Sequence, residues 1–187
     1  MAGGGDNPCD PRHGRLSPYP PGPVSSDEDR ESESRHYGFI RDFRSLEPTL
    51  HQMLALWGSK CIEGALPRTR DMGPDVLKGL VSHVAVVDVL HDPFDYRYRI
   101  VGSYIEDMIG ERRVGRRARE FMSGPMLDFT IRAVEELVRD RRPLAMWGLK
   151  MPWIERDYKR WQVLVLPLSE SGEIVDRAIM GFAFLDT

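Results

Sequence analysis

Five arginines lie within eight residues near the middle of this 187-residue chain: Arg112, Arg113, Arg116, Arg117 and Arg119. A guanidinium group binds carboxylate or phosphate through paired, charge-assisted hydrogen bonds. The cluster therefore predicts a patch that binds an anion or an acidic partner. The alternative is a solvated connector, because runs of charge usually face water.

An acidic segment near the N-terminus offers the arginine cluster a partner within the same chain. The stretch SSDEDRESESR, residues 25–35, contains five acids and no apolar residue. Phosphorylation of its serines would strengthen such a contact. Residues 1–36 as a whole are rich in proline, glycine and charge, which predicts a disordered tail. The tail is either a solvated extension or a regulatory, partner-binding arm.

The residue types that catalysis needs are present, but they form no recognisable arrangement. The chain has no Gly-rich phosphate loop, no His-x-x-x-His pair and no G-x-S-x-G elbow. Its five histidines are scattered along the chain, and nucleophilic catalysis needs a base placed beside a Ser or Cys. We therefore expect no enzymatic activity and no catalytic residues, with an unrecognised enzyme as the less favoured alternative.

The composition predicts a cytoplasmic protein. Hydrophobic residues make up 41% of the chain, and no run approaches the roughly 18 apolar residues that span a bilayer. The N-terminus lacks the apolar core of a secretory signal. The net charge of −3 argues against nucleic acid as a partner. Cys9 and Cys61 lack ligand-spaced neighbours, so neither a metal site nor a disulfide between them is expected.

A helix at about residues 45–58 is the first predicted element. Ser45 can cap it, and Pro48 suits its first turn. One apolar stripe runs along it at helical spacing: Leu46, Leu50, Met53, Leu54 and Trp57. Such a stripe must be buried, either on the sheet of the same chain or against a second copy, which would make a homodimer.

The remaining elements predict an α+β fold. VAVVDVL, residues 84–90, and YRYRIVG, residues 96–102, read as two strands joined by the turn HDPFD. Helical segments follow, the longest being PMLDFTIRAVEELVRD, and then three strands near residues 143–151, 158–168 and 178–185. This order predicts an antiparallel sheet of five strands with helices on one face and an additional N-terminal helix.

Three spaced motifs carry a resemblance to a known family. They are Leu66-Pro67-Arg68 with Asp71 and Pro74, then Tyr98–Ser103 with Gly110 and Gly115, and finally Leu166–Ser169 with Gly172. In this order the chain resembles the PAS fold, and more specifically a family of stand-alone bacterial PAS-like proteins. The resemblance runs from about Trp57 to Phe184. It implies a PAS-like domain over residues 37–187, with its core at about 66–187.

The resemblance implies a sensory or interaction domain. PAS domains bind a small ligand or cofactor between sheet and helices, or dimerise through an N-terminal helix. No particular cofactor carries over. The long helix lacks the axial His of haem-binding versions, and the helical region lacks the reactive Cys of light-sensing flavin versions.

In a PAS-like arrangement, the helices and the sheet face beneath them would line a ligand cavity. The candidate lining residues are Tyr98, Ile100, Tyr104, Met108, Phe121, Met122, Phe129, Trp147 and Trp161, with Arg99 and Gln162 as polar groups. The alternative is that these side chains fill the core. We thus expect a cytoplasmic sensory or regulatory module that binds a small ligand or a protein partner and signals through interaction or dimerisation. A structural adaptor with a filled core is the alternative.

Overall fold

The computed structural model describes residues 35–150 and 157–186 of the chain. Its strands are β1 (Tyr37–Ile40), β2 (Val84–His91), β3 (Phe94–Val101), β4 (Leu144–Leu149), β5 (Arg160–Leu168) and β6 (Arg177–Leu185). Its α-helices over residues 37–186 are α1 (Pro48–Ser59), α2 (Pro74–Leu77), α3 (Ser103–Ile109) and α4 (Gly124–Asp140). Short 3₁₀ turns lie at Phe43–Ser45, Thr69–Met72, Lys78–His83 and Ala118–Glu120.

The strands form one antiparallel sheet in the order β1-β4-β5-β6-β2-β3. The predicted α+β class and the hairpin–helices–three-strand order are confirmed. The prediction of five strands was one short, because β1 also joins the sheet, with Tyr37 opposite Gly148. At four residues, β1 is too short to show an alternating pattern. The N-terminal helix begins at Pro48 rather than near residue 45, since Phe43–Ser45 forms a separate 3₁₀ turn.

Helix α1 covers the sheet face opposite to α4. A Cβ atom at Gly181 of β6 would lie 2.4 Å from Met53 Sδ, so the helix rests directly on that glycine. Nearby, Trp57 Nε1 donates a 2.9 Å hydrogen bond to the Pro167 carbonyl of β5. Because both faces are covered, every residue from Val163 to Ser169 in β5 and just beyond it is buried.

The apolar stripe of α1 is therefore used within its own chain. Four of the five stripe residues lie on α1, and Leu46 lies just before it. All five are buried, with exposed fractions of 0–6%: Leu46, Leu50, Met53, Leu54 and Trp57. Of the two partners that the sequence left open for this stripe, the structure selects the chain's own sheet. The five residues proposed as a dimer helix are not available to a second copy.

A bulge in the β2–β3 hairpin reverses the side-chain direction near the end of β3. Val86 lies opposite Ile100, whereas Val87 lies opposite Tyr98, so Arg99 is an extra residue on β3. Tyr98 points to the α4 side and is 3% exposed, while Ile100 is 53% exposed. The regular alternation expected for this strand holds only up to Tyr98.

Two of the spaced sequence motifs contact each other in the fold. Ser169, at the end of the Leu166–Ser169 motif, donates its backbone N–H to the Pro67 carbonyl at 3.0 Å. Leu66, Pro67 and Ser169 are all buried. The two motifs thus join the segment after α1 to the end of β5.

The connector between α3 and α4, residues 110–123, runs along the free edge of β3. Gly110 ends α3 with a φ of 78°, and Gly115 has a φ of 84°, a region that favours glycine. Gly115 donates its N–H to the Tyr98 carbonyl at 2.7 Å, and Tyr98 donates its N–H to the Arg116 carbonyl at 3.0 Å. The arginine cluster is therefore held beside the sheet.

Some expectations concern residues at the margin of the described structure. Residues 1–34 of the predicted tail, most of the acidic segment included, lie outside the described residues. Cys61 is disulfide-bonded, and the prediction about a bond between it and Cys9 involves a residue outside the described part. No helix within residues 35–150 and 157–186 is long and apolar enough to cross a membrane.

Gly102, in the Tyr98–Ser103 motif, provides a test of how the junction of β3 and α3 packs against the 3₁₀ turn Lys78–His83. A Cβ atom there would lie 2.2 Å from the Ser82 carbonyl oxygen, which is backbone and cannot rotate away. We expect Gly102→Ala to lower the free energy of unfolding by about 1–3 kcal/mol in urea titrations. Gly79→Ala is the control, because no atom lies within 4 Å of its added Cβ, and it should change stability by about 0.5 kcal/mol or less. Equal stability of the two variants would contradict this packing.

Candidate functional site

A cavity of about 260 Å³ lies between the sheet and the side of the fold that carries α3, the connector and α4. This volume is just below the roughly 300–1,000 Å³ of typical small-molecule sites. Its lining consists of Tyr96, Tyr98, Ile109, Glu111, Arg113, Phe121, Met122, Ser123, Met126, Thr130, Val134, Met146, Tyr158, Trp161, Val163, Met180, Phe182 and Phe184. The size and the mostly apolar lining suit a small organic molecule.

Strand alternation selects which sheet residues reach the cavity. Val163 of β5 lies opposite Phe182 of β6, and Trp161 lies opposite Phe184, so these four side chains share the α4 face. The Trp161 ring packs over Gly148 of β4, where an added Cβ would lie 2.1 Å from the ring. Trp161 Nε1 donates a 3.1 Å hydrogen bond to the Leu149 carbonyl, which fixes the ring.

Four of the eleven residues that the sequence offered as ligand-binding candidates line this cavity: Tyr98, Phe121, Met122 and Trp161. Their role in binding stays a prediction. The other seven do not line the cavity. Four of them lie on the sheet, at the bulge or on the opposite face, and three lie on helices.

The bulge and the opposite sheet face account for four of these seven. Ile100 and Arg99 lie beyond Tyr98 at the bulge, and Arg99 Nε bonds Asp88 at 2.9 Å on the exposed side. Gln162 faces α1, where its Oε1 accepts the Glu47 N–H at 2.9 Å. Trp147 lies opposite Gln162 in the register and shares that face.

The remaining three are on helices but point elsewhere. The Phe129 ring packs 4.9 Å from Tyr37 and 5.0 Å from Phe39, between centroids, against the unpredicted strand β1. The Tyr104 ring packs 4.1 Å from the His83 ring, outside the lining. Met108 of α3 is half-buried and does not line the cavity.

Arg113 brings a positive charge to the cavity. Its Nε donates a 3.0 Å hydrogen bond to Glu111 Oε1, and its guanidinium carbon lies 4.3 Å from the centroid of the Phe121 ring. Only 17% of its side chain is exposed. Stacking on the ring and the ion pair together hold the guanidinium in one plane.

Three tyrosine hydroxyls lie in the field of this guanidinium. Burial raises the pKa of Tyr96 well above its ordinary value, and it also raises the pKa values of Tyr98 and Tyr158; Arg113 opposes the shift in all three. The neighbouring Thr130 side chain also lowers the pKa of Tyr96, and Arg113 and Tyr96 lower that of Tyr98, but burial outweighs these effects. At neutral pH, the three phenols are therefore protonated and can donate hydrogen bonds.

The five clustered arginines lie in different surroundings. Arg113 turns to the cavity. Arg116 bonds Glu111 at 3.3 Å and the Glu120 carbonyl at 2.7 Å, and Arg119 lies 3.7 Å from Asp95. Arg112, Arg117 and Arg119 are exposed. An anion-binding or partner-binding role of the five arginines stays a prediction.

Sequence reasoning missed several residues of the site, chiefly Tyr96, Glu111 and Tyr158. A signal for Tyr96 was present, because the YRYR alternation places it on the same face as Tyr98. Glu111 lies beside the arginine cluster, which was considered only as a surface. Tyr158 follows the undescribed residues 151–156, and no pattern in the sequence indicated that its side chain points into the cavity.

Comparison with known proteins gives one match. A family model described as PAS domain matches residues 46–182, from the start of the α1 region into β6 and over more than half of the chain. Strand β1 lies outside the matched residues. No protein with a curated description and no solved structure is significantly similar to the chain.

The buried hydroxyl of Tyr96 should make the protein less stable as the pH rises into the alkaline range. Its folded-state pKa lies above its unfolded value of about 10, so its contribution is fully present below about pH 10 and is lost as the pH rises. We expect Tyr96→Phe to reduce the decline in unfolding free energy above pH 10 by up to about 1.4 kcal/mol per pH unit. Urea titrations between pH 8 and 11.5 measure this decline.

Tyr104→Phe is the matched control for this titration. The Tyr104 side chain is half-buried, and its pKa is raised less markedly than that of Tyr96. Removing the Tyr104 hydroxyl should change the decline in unfolding free energy above pH 10 less than removing the Tyr96 hydroxyl does. A Tyr96→Phe variant with the wild-type slope would show that the hydroxyl ionises freely in the folded protein.

Proposed function

The chain belongs to the PAS domain family, a family of sensory and interaction modules, and we propose that it binds a small molecule in the cavity between its sheet and α4. It acts in the cytoplasm, and the state of the cavity decides how it contacts a protein partner or a second copy. No chemical step on the ligand is part of this proposal.

The cavity is the observation that carries the proposal. Protein interiors are packed about as densely as organic crystals, and voids larger than a water molecule are few. This cavity of about 260 Å³ is lined by seven aromatic rings and four methionines, which are residues that would readily fill a core. A purely structural adaptor would gain stability by closing such a space, so the cavity favours a ligand over the filled-core alternative.

The connector supports a route from the cavity to the surface. It contributes five lining residues: Glu111, Arg113, Phe121, Met122 and Ser123. The same segment exposes Val114, at 43%, and the side chain of Arg117. A ligand that moves the inner side of the connector would therefore change the surface that the connector presents to a partner.

Dimerisation is a separable part of the proposal. The apolar stripe of α1 is covered by the chain's own sheet, so a homodimer would have to use another surface. Sedimentation equilibrium with and without the retained small molecule measures this. A single monomeric mass at high micromolar concentration in both states would remove dimerisation and leave a different protein as the partner.

Ligand binding is tested by closing the mouth of the cavity. Ser123 is exposed and lines the cavity, so Ser123→Trp adds a large ring there without disturbing the core. Native mass spectrometry of full-length protein purified from its source cells should show a bound small molecule on the wild type. We expect the variant to lose about tenfold in affinity or more, which is about 1.4 kcal/mol of ligand-dependent stabilisation in cell extract.

Glu135→Trp is the matched control, because Glu135 is exposed on α4, the helix that begins directly after Ser123, and does not line the cavity. It should retain the molecule as the wild type does. Wild-type protein with no bound molecule, and with no stabilisation by cell extract, would instead favour the structural adaptor.

A further inference from the structure

The charges around the cavity narrow the chemical class of its ligand. Resting on the function proposed above, we infer that the cavity binds a small organic monoanion, such as a carboxylate on a single ring or a short chain, with its acid group on Arg113.

The first argument is charge balance. Among the described residues that line the cavity, Glu111 and Arg113 are the charged ones. Glu111 also pairs with Arg116 at 3.3 Å, so one carboxylate serves two guanidinium groups. Glu111, Arg113 and Arg116 together sum to one positive charge, and Arg113, the least exposed of the three, is the guanidinium that reaches the largely apolar cavity. A ligand with one negative charge balances that charge, whereas a second negative charge would be repelled by Glu111.

The second argument is the supply of hydrogen-bond donors. A guanidinium has five N–H groups, and the Glu111 contact uses the Nε–H of Arg113. The terminal NH₂ groups remain for Tyr98 and for a ligand. The protonated hydroxyls near Arg113 can donate as well. A carboxylate accepts several such bonds in one plane, whereas a neutral amide has one acceptor oxygen and brings two donors of its own.

The third argument is the apolar body of the cavity. The apolar part of the lining includes Val134, Met146, Val163, Met180 and Phe182. These side chains have no groups that could hold a polar ligand along its whole length. The small volume limits the apolar part to about the size of one ring or a short chain. The occupant is therefore amphipathic, with one acid end.

Methionine-methyl NMR of the full chain tests this inference directly. Met122, Met126, Met146 and Met180 line the cavity, whereas Met53 and Met72 are buried outside the lining and serve as internal controls. The probes are phenylacetate against phenylacetamide, and hexanoate against hexanamide. We expect each acid to shift the cavity methionines and to bind about 10- to 100-fold more tightly than its amide, the range of a charge-assisted hydrogen bond.

Arg113→Gln should reduce the preference for acid over amide to about threefold or less. Arg112→Gln is the control, because it removes the same charge from a neighbouring, exposed arginine, and it should retain the preference. Arg113→Lys keeps the charge without the planar donors, so an intermediate preference is expected, and this variant also serves if the Gln variant does not fold. An acid preference that survives in Arg113→Gln would overturn the inference, as would equal binding of acid and amide to the wild type.

These outcomes separate the ligand class from the function itself. Amides that shift the cavity methionines as acids do would overturn the anion class and leave ligand binding in place. If neither acids nor amides shift any cavity methionine, the anion class also fails. The function proposed above is then judged separately, by the molecule retained on wild-type protein and lost in Ser123→Trp.

Discussion

Burial of the sheet on both faces is the constraint on which the rest of the structure depends. With α1 resting on Gly181 and Trp57 bonded to the Pro167 carbonyl, the outer face of β5 and β6 is sealed. The inner face is then free to form a cavity under α4 without exposing the sheet to water from behind. The same packing buries the apolar stripe of α1, so this stripe is not exposed for contact with a second copy.

Double burial also explains which parts of the fold and site the sequence could predict. The class, the strand order along the chain and the N-terminal helix follow from runs of β-branched residues, turn residues and helical spacing. The sequence could not show which alternate residues of β5 face the cavity, because its apolar run is continuous on both faces. For this reason Gln162 was predicted on the wrong face. Ile100 was misplaced because a one-residue bulge leaves no sequence signal here, and Phe129 because its partner strand β1 was not predicted.

The connector shows how a pattern that is visible in sequence can acquire a different role in three dimensions. As a run of charge, the arginine cluster indicates a surface. In the fold, turns at Gly110 and Gly115 and the two backbone bonds to Tyr98 fix the segment along β3. That path brings Arg113 against Phe121 at the cavity and leaves Arg117 outside. Local charge density gives no information about such a division; only the path of the backbone does.

The ion pairs of the connector give the ligand a physical means of acting on the surface. A ligand shifts a conformational equilibrium only by binding one state more tightly than the other. Glu111 holds Arg113 and Arg116 together, and Arg116 is also anchored to the Glu120 carbonyl. An acid group on the terminal NH₂ groups of Arg113 would leave the Nε–H contact with Glu111 in place and share the positive charge that otherwise attracts Glu111 alone. The guanidinium that would recognise the ligand is thus one of the groups that hold the connector, so occupancy and connector geometry are energetically linked.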